Sequence, residues 1–143
     1  MPDGDDLRVL VDDRQDRAVD VDGLVGLARD VLRGEGIADA ELSVAFVEED
    51  EIAGLHERFL GEAGPTDVLA FPLEATDGDG TRLLGDVVIA PAYAARTRDD
   101  LAAELRLLLV HGILHLLGHD HEEDAERAAM WALQERYSGV AIP

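Results

Sequence analysis

Val110-His111-Gly112-Ile113-Leu114-His115-Leu116-Leu117-Gly118-His119-Asp120-His121 is the stretch on which the reading of the whole chain turns. His111 and His115 are four residues apart, and on a helix that spacing places both imidazoles on one face, one turn above the other. Gly118 is suited to the left-handed conformation that ends a helix. The chain can then fold back and carry a third imidazole, from His121 or His119, toward the same point. Three neutral nitrogens with an open fourth position are the ligand set of a catalytic zinc, whereas closed structural sites take four protein ligands, mostly thiolates. This chain has no cysteine. A lone histidine on an apolar helix is more often a satisfied core residue, but here four of five histidines crowd into one stretch. Nickel and iron also accept imidazoles, and ligand type and geometry favour zinc among them.

Working outward, Leu101 to Leu117 is apolar almost all round, which predicts a core helix. Downstream, Glu122 to Tyr137 reads as an amphipathic helix through Ala125, Ala128, Ala129, Ala132 and Leu133, with Trp131 packing beside it. Upstream, Pro91 starts a helical stretch carrying Arg96 and Arg98, and Asp99 and Asp100 sit where an N-terminal turn is favoured. Residues 65–72 and 83–90 read as two strands joined through Thr76-Asp77-Gly78-Asp79-Gly80-Thr81, which is turn chemistry. Asp77 and Asp79 match a calcium loop only in part, and its remaining ligand positions fail.

Nearer the N-terminus, Met1 to Asp6 is polar and expected to fray, and Leu7, Val9 and Val11 alternate as in a strand. Val21 to Arg33 has helical periodicity, stopped by Gly34 and Gly36. Leu42 to Val47 is apolar on both faces and so reads as a central strand. A helix follows through Ile52, Leu55, His56 and Phe59, entered by Glu48, Glu49, Asp50 and Glu51; His56 reads as a surface or core residue. The order β-α-β-α-β-β-α-α-α predicts an α+β fold: a small mixed sheet of about four strands covered by helices, with a metal-bearing core helix, in one domain spanning 1–143.

There is no apolar run of membrane-spanning length and no leader pattern, so no membrane role is expected. The absence of cysteine fits a reducing, cytoplasmic compartment. With 32 acidic residues, 12 basic ones and a net charge of −20, the surface repels phosphate at long range. Arginines beside a divalent cation reverse the field locally, and Arg58, Arg96 and Arg98 are the available phosphate contacts. Asp67 and Asp86 are candidates to orient a histidine ligand or to act as base, with a turn cap and a strand-end hydrogen bond as their ordinary alternatives.

The spacing H-x-x-x-H-x-x-G-x-x-H is also that of metzincin peptidases, but the general-base glutamate that follows the first histidine there is Gly112 here. A fuller match lies elsewhere. Residues 111–121 resemble the signature H-G-x-L-H-L-x-G-Y-D-H of the YbeY endoribonucleases. Pro65-Thr66-Asp67-Val68-Leu69-Ala70-Phe71-Pro72 resembles that family's P-T-D-V-L-S-F-P, and Leu84-Gly85-Asp86-Val87-Val88-Ile89 its L-G-D-I-V-I. The resemblance implies a zinc-dependent, single-strand-specific endoribonuclease that matures the 3′ end of small-subunit ribosomal RNA and serves ribosome quality control. Its expected partners are single-stranded RNA, the small subunit and assembly factors. By motif position it implies one zinc per chain on His111, His115 and His121, with His119 standing where the family usually has tyrosine. The resemblance departs at Leu60, where the family often carries an arginine used in activity; Arg58, two residues away, is the candidate replacement. The catalytic candidates are therefore Asp67, Asp86 and Arg58. Two rival readings are a metzincin-like metallopeptidase and a ribosome-assembly factor with a non-catalytic zinc site.

Overall fold

The structure, a computed structural model, describes residues 6–119 and 123–140, with only the backbone described at Glu74. The polar residues 1–5 lie outside it. Its elements are β1 (Asp6–Asp13), α1 (Val21–Gly34), β2 (Asp39–Phe46), α2 (Glu49–Leu60), β3 (Val68–Thr76), β4 (Arg82–Ile89), α3 (Pro91–Ala94), α4 (Leu101–Leu116) and α5 (Asp124–Ser138). This is the expected element order. The four strands form one sheet in the order β1-β2-β4-β3. β1 and β4 both run parallel to β2, and β3 returns antiparallel on β4 as a hairpin. β2 is central because its Leu42, Val44 and Phe46 and its Ser43 and Ala45 supply one face each.

The two faces are covered unequally. On one, α1 and α4 bury Leu27, Val31, Leu109 and Ile113 against Leu42, Phe46, Val87 and Ile89, forming the main core. On the other, α2 contributes Ile52 and Leu55 to a smaller cluster with Val47, Leu69 and Val88. Beside that cluster an open groove of about 650 Å³ remains, lined by Leu10, Ser43, Phe59, Phe71 and Asp86 among others.

Each long helix on the covered face is started by its sequence. The Asp20 carboxylate accepts from the Gly23 amide at 3.1 Å, and the Asp100 carboxylate accepts from the Ala103 amide at 3.1 Å. A cap of this kind is worth about 1 kcal/mol. The buried Glu104, 5 % exposed, is held by Arg98 at 3.0 Å, which pins the first turn of α4. Buried carboxylates persist only when paired in this way.

Three expectations change. The helical stretch from Pro91 stops at Ala94, so Arg96 lies in the turn beyond it and Arg98 serves Glu104. Trp131 is 48 % exposed rather than packed. On α5 the alanines at 125, 128, 129 and 132 face solvent, and the buried or half-buried stripe is Met130, Leu133, Gln134, Tyr137 and Ser138. That set has the i, i+3, i+4, i+7, i+8 spacing of a core-facing stripe. Alanine has little area to bury, so the larger side chains and two partnered polar ones chose the face. The turn at 77–81 is held by its own carboxylates: Asp77 accepts from the Asp79 amide at 3.0 Å, Asp79 accepts from the Thr81 amide at 2.9 Å, and Arg8 donates to Asp77 at 3.1 Å. The hydrogen bond to Asp77, those from Thr81 and the charge of Arg8 hold the Asp79 carboxyl well below the ordinary carboxylate range. These carboxylates serve a hairpin.

Candidate metal centre

α4 runs against the sheet so closely at Gly112 that any side chain there would force a shift. A Cβ on Gly112 would stand 2.7 Å from Cγ1 of Val87 on β4. No glutamate fits there, which removes the position a metzincin-like peptidase needs for its base. The close approach also fixes where the flanking histidines go. His111 and His115 stand on the same side of α4, their rings nearly parallel at 12° with centroids 6.3 Å apart. Together with Leu60, Val68, Leu69, Ala70 and Gly112 they line a pocket of about 190 Å³ at the rim of β3.

The orientation of His111 has a visible cause. Its Nδ1 meets Oε1 of the buried Gln134 on α5 at 2.5 Å. α5 is in turn tied to α4 by Arg106, whose Nε donates to the Ser138 carbonyl at 2.8 Å.

The turn after α4 is built as the glycine suggests. Gly118 has φ of 95°, its amide donates to the His115 carbonyl at 3.1 Å, and the His119 amide donates to the Leu114 carbonyl at 3.0 Å. The His119 side chain then turns to α1: its Nε2 meets Glu35 Oε1 at 2.8 Å, while Tyr137 Oη donates to Glu35 Oε2 at 2.8 Å. Burial of the Glu35 carboxyl opposes its ionisation, but hydrogen bonds from Tyr137 and His119 outweigh this and hold it below the ordinary carboxylate value. The same burial and the Glu35 carboxylate push the Tyr137 phenol up from its ordinary value. His119, one of the two candidates for third imidazole, is thus engaged by α1 and α5. The other, His121, lies outside the described residues.

The two candidate carboxylates separate. Asp67 immediately precedes Val68 of the pocket wall, and its carbonyl accepts from the Ala90 amide at 2.9 Å. Asp86 pairs with Ser43 and Phe71 and lines the groove on the other face of the sheet. Because side chains alternate along a strand and Val87 is the residue against α4, Asp86 points away from the histidines. Among the described residues no third histidine, cysteine or carboxylate joins His111 and His115 in a cluster that would hold a metal.

Of the arginines, Arg96 reaches Glu49 at 2.5 Å and lies over the Tyr93 ring. Arg58 is exposed, with its guanidinium 5.7 Å from the Phe59 ring centre. Leu60, not Arg58, lines the histidine pocket. Two helical residues turn the side chain by about 200°, so Arg58 does not occupy the place that Leu60 holds. His56 is engaged by its own loop, at 3.0 Å to the Gly64 carbonyl and 3.0 Å to Glu62.

Gln134, Glu35 and Tyr137 are the residues that sequence reasoning passed over. Gln134 had one signal: with Ser138 it is a polar member of the Met130-Gln134-Ser138 series, and a buried amide implies a partner.

The arrangement defines a class, an α+β protein whose mixed sheet supports a core helix bearing an imidazole pair in an open pocket. Within that class the chain belongs to the endoribonuclease YbeY family, whose model, Endoribonuclease YbeY, matches residues 10–139. A relative of that name from Acidothermus cellulolyticus is 48% identical, over 88% of this chain and 87% of its own. One from Frankia alni is 46% identical, over 82% of this chain and 73% of its own. The solution structure of a Thermotoga maritima protein shares the fold with a TM-score of 0.62 at 32% identity, over 92% of this chain and 86% of that one. Among the described residues no helix is long and apolar enough to cross a membrane.

Proposed function

We propose that this chain is a zinc-dependent, single-strand-specific endoribonuclease of the cytoplasm that matures the 3′ end of small-subunit ribosomal RNA and serves ribosome quality control. The observation that carries the reading is the pair of parallel imidazoles of His111 and His115 on the wall of an open 190 Å³ pocket. Two neutral nitrogens one helical turn apart, with no thiolate anywhere in the chain, fit a zinc that keeps an open position. His111, His115 and His121 would hold it, with His119 kept by Glu35. Once bound, such a metal supplies Lewis acidity toward a phosphodiester oxygen or an attacking water.

The chain's own groups do the rest. Leu60, Val68, Leu69 and Ala70 give the pocket an apolar wall, which thins the water around a bound phosphodiester and strengthens its electrostatic contacts. Asp67, at the head of β3, is the carboxylate assigned to take a proton from the nucleophile; Asp86, across the sheet, is not. Arg58, at the exposed end of α2, is the cation assigned to meet an RNA phosphate. The small ribosomal subunit and its assembly factors are the macromolecular partners of this reading.

The test compares wild type with His115→Ala for bound zinc and for cleavage of a labelled single-stranded RNA, with and without chelator. Zinc and cutting are both expected in wild type and both lost in the variant. Leu60 on the pocket wall favours a second reading, a ribosome-assembly factor whose zinc is not catalytic. Zinc near one per chain, without RNA cleavage but with retained binding to small subunits, would replace the first reading with the second.

A further inference from the structure

Gln134 is 5 % exposed, in the middle of the stripe that α5 lays on α4, where an apolar residue would ordinarily serve. A buried amide without a partner costs about 1–3 kcal/mol, so its position calls for a reason. Its Oε1 stands 2.5 Å from Nδ1 of His111, and an amide oxygen only accepts hydrogen bonds. In this orientation of the amide the proton of the contact belongs to His111 Nδ1. A neutral imidazole protonated at Nδ1 carries its lone pair on Nε2, and His111 lines the pocket with His115.

We infer that Gln134 is a positioning residue for the metal centre: by accepting the Nδ1 proton of His111 it sets the tautomer and ring angle that present Nε2 to a metal ion. The inference rests on the proposed zinc site. A histidine that binds zinc commonly has its other nitrogen held by a carboxylate, a carbonyl or water, and the loss of such a partner weakens metal binding about 10–100-fold. Gln134 fills that role with a neutral oxygen. A carboxylate in its place keeps the acceptor and adds charge, whereas an apolar residue of the same length removes the acceptor without emptying the stripe. The reverse amide orientation, with an N–H facing Nδ1, would put the histidine proton on Nε2 and leave no lone pair for a metal, so the tautomer of His111 decides between the two.

The experiment is carried out first on metal-free protein. Long-range ¹H–¹⁵N correlation spectra of wild type, Gln134→Met and Gln134→Glu give the tautomer of each histidine, and His111 is assigned by the signals lost in His111→Asn. Wild type and Gln134→Glu are expected in the Nδ1–H form at His111, and Gln134→Met in a mixture of forms. Zinc competition against a chromophoric chelator is then expected to show Gln134→Met weaker by about 10–100-fold and Gln134→Glu at least as tight as wild type. An Nε2–H form in wild type, or wild-type zinc affinity in a folded Gln134→Met protein, would overturn the inference. Nδ1–H in wild type with no zinc uptake would instead overturn the zinc site and leave the contact of Gln134 with His111 standing.

Discussion

The two faces of the sheet make different uses of the same strands. On the covered face, β4 gives Val87 to α4 at a distance that leaves no unstrained room for a Cβ at 112, and the histidine pair is set on a helix buried along most of its length. On the open face, the neighbouring Asp86 lines a 650 Å³ groove with Phe59 and Phe71, whose rings meet edge to face at 5.5 Å. The covered face has the rigidity that holding two imidazoles parallel requires, and the open face has the accessible surface. A site that must keep ring angles to within some tens of degrees belongs on packed elements. Here it sits at the margin of that packing, where β3 ends the sheet and solvent reaches His115.

The largest effect that would sharpen this contrast is at His115. Its replacement by alanine should remove zinc and lower single-stranded RNA cleavage by more than the roughly 100-fold seen when a mere partner of a ligand is lost, as metal analysis and a cleavage assay would report. Unchanged cleavage would move the chemistry off the covered face.

Next in size is Gly112→Ala. The added methyl meets Val87, and overpacking of this kind costs about 1–3 kcal/mol, less up to about 1 kcal/mol that alanine regains as the better helix former. Urea denaturation should show a lower midpoint; an unchanged one would mean that α4 is free to move off the sheet.

A smaller change is expected at the tie between the turn after α4 and α1. Glu35 is faced by His119 and Tyr137, with Arg136 nearby, and its carboxyl is held below the ordinary value of 4.5. A depressed folded value means that the ionised network stabilises the protein above about pH 4.5 and that this contribution fades as pH falls through the folded value. Tyr137, raised from 10.0, works in the opposite sense: its contribution is present below about pH 10 and lost as pH rises through the folded value. Unfolding midpoints of wild type and Glu35→Gln should therefore differ at pH 7 and converge toward pH 3. Zinc stoichiometry in His119→Ala should stay at the wild-type value, since His119 serves Glu35.

The smallest effect is expected on the open face. Asp86→Asn should leave zinc affinity unchanged and alter stability by no more than about 0.5 kcal/mol, as an exposed substitution does. A loss of zinc in that variant would contradict the assignment of the two faces.

Much of the fold was legible because local patterns are enforced by burial. The apolar run of α4, the two-sided apolar β2 and the turn residues at 77–81 each have one good solution, and each stands where expected. The pair His111 and His115 was legible for the same reason, since a four-residue step on a helix needs no partner to define it. The buried face of α5 was not. Its alanines carry too little area to decide, and the answer came from Met130, Leu133 and Tyr137 and from polar residues whose partners lie far off in sequence. Gln134 meets His111 across 23 positions, and Tyr137 meets Glu35 across 102.

Asp86 shows where the division falls. The strand period by itself determined that residues 86 and 87 face opposite sides, as the helical period determined that His111 and His115 share one. Which side of the sheet receives α4, and so whether Asp86 or Val87 stands with the histidines, was decided only when the helices packed. Periodicity is a property of neighbouring residues and is written in the chain. The choice of face, the partner of a buried amide and the direction of the His119 ring depend on separate elements brought together by the fold.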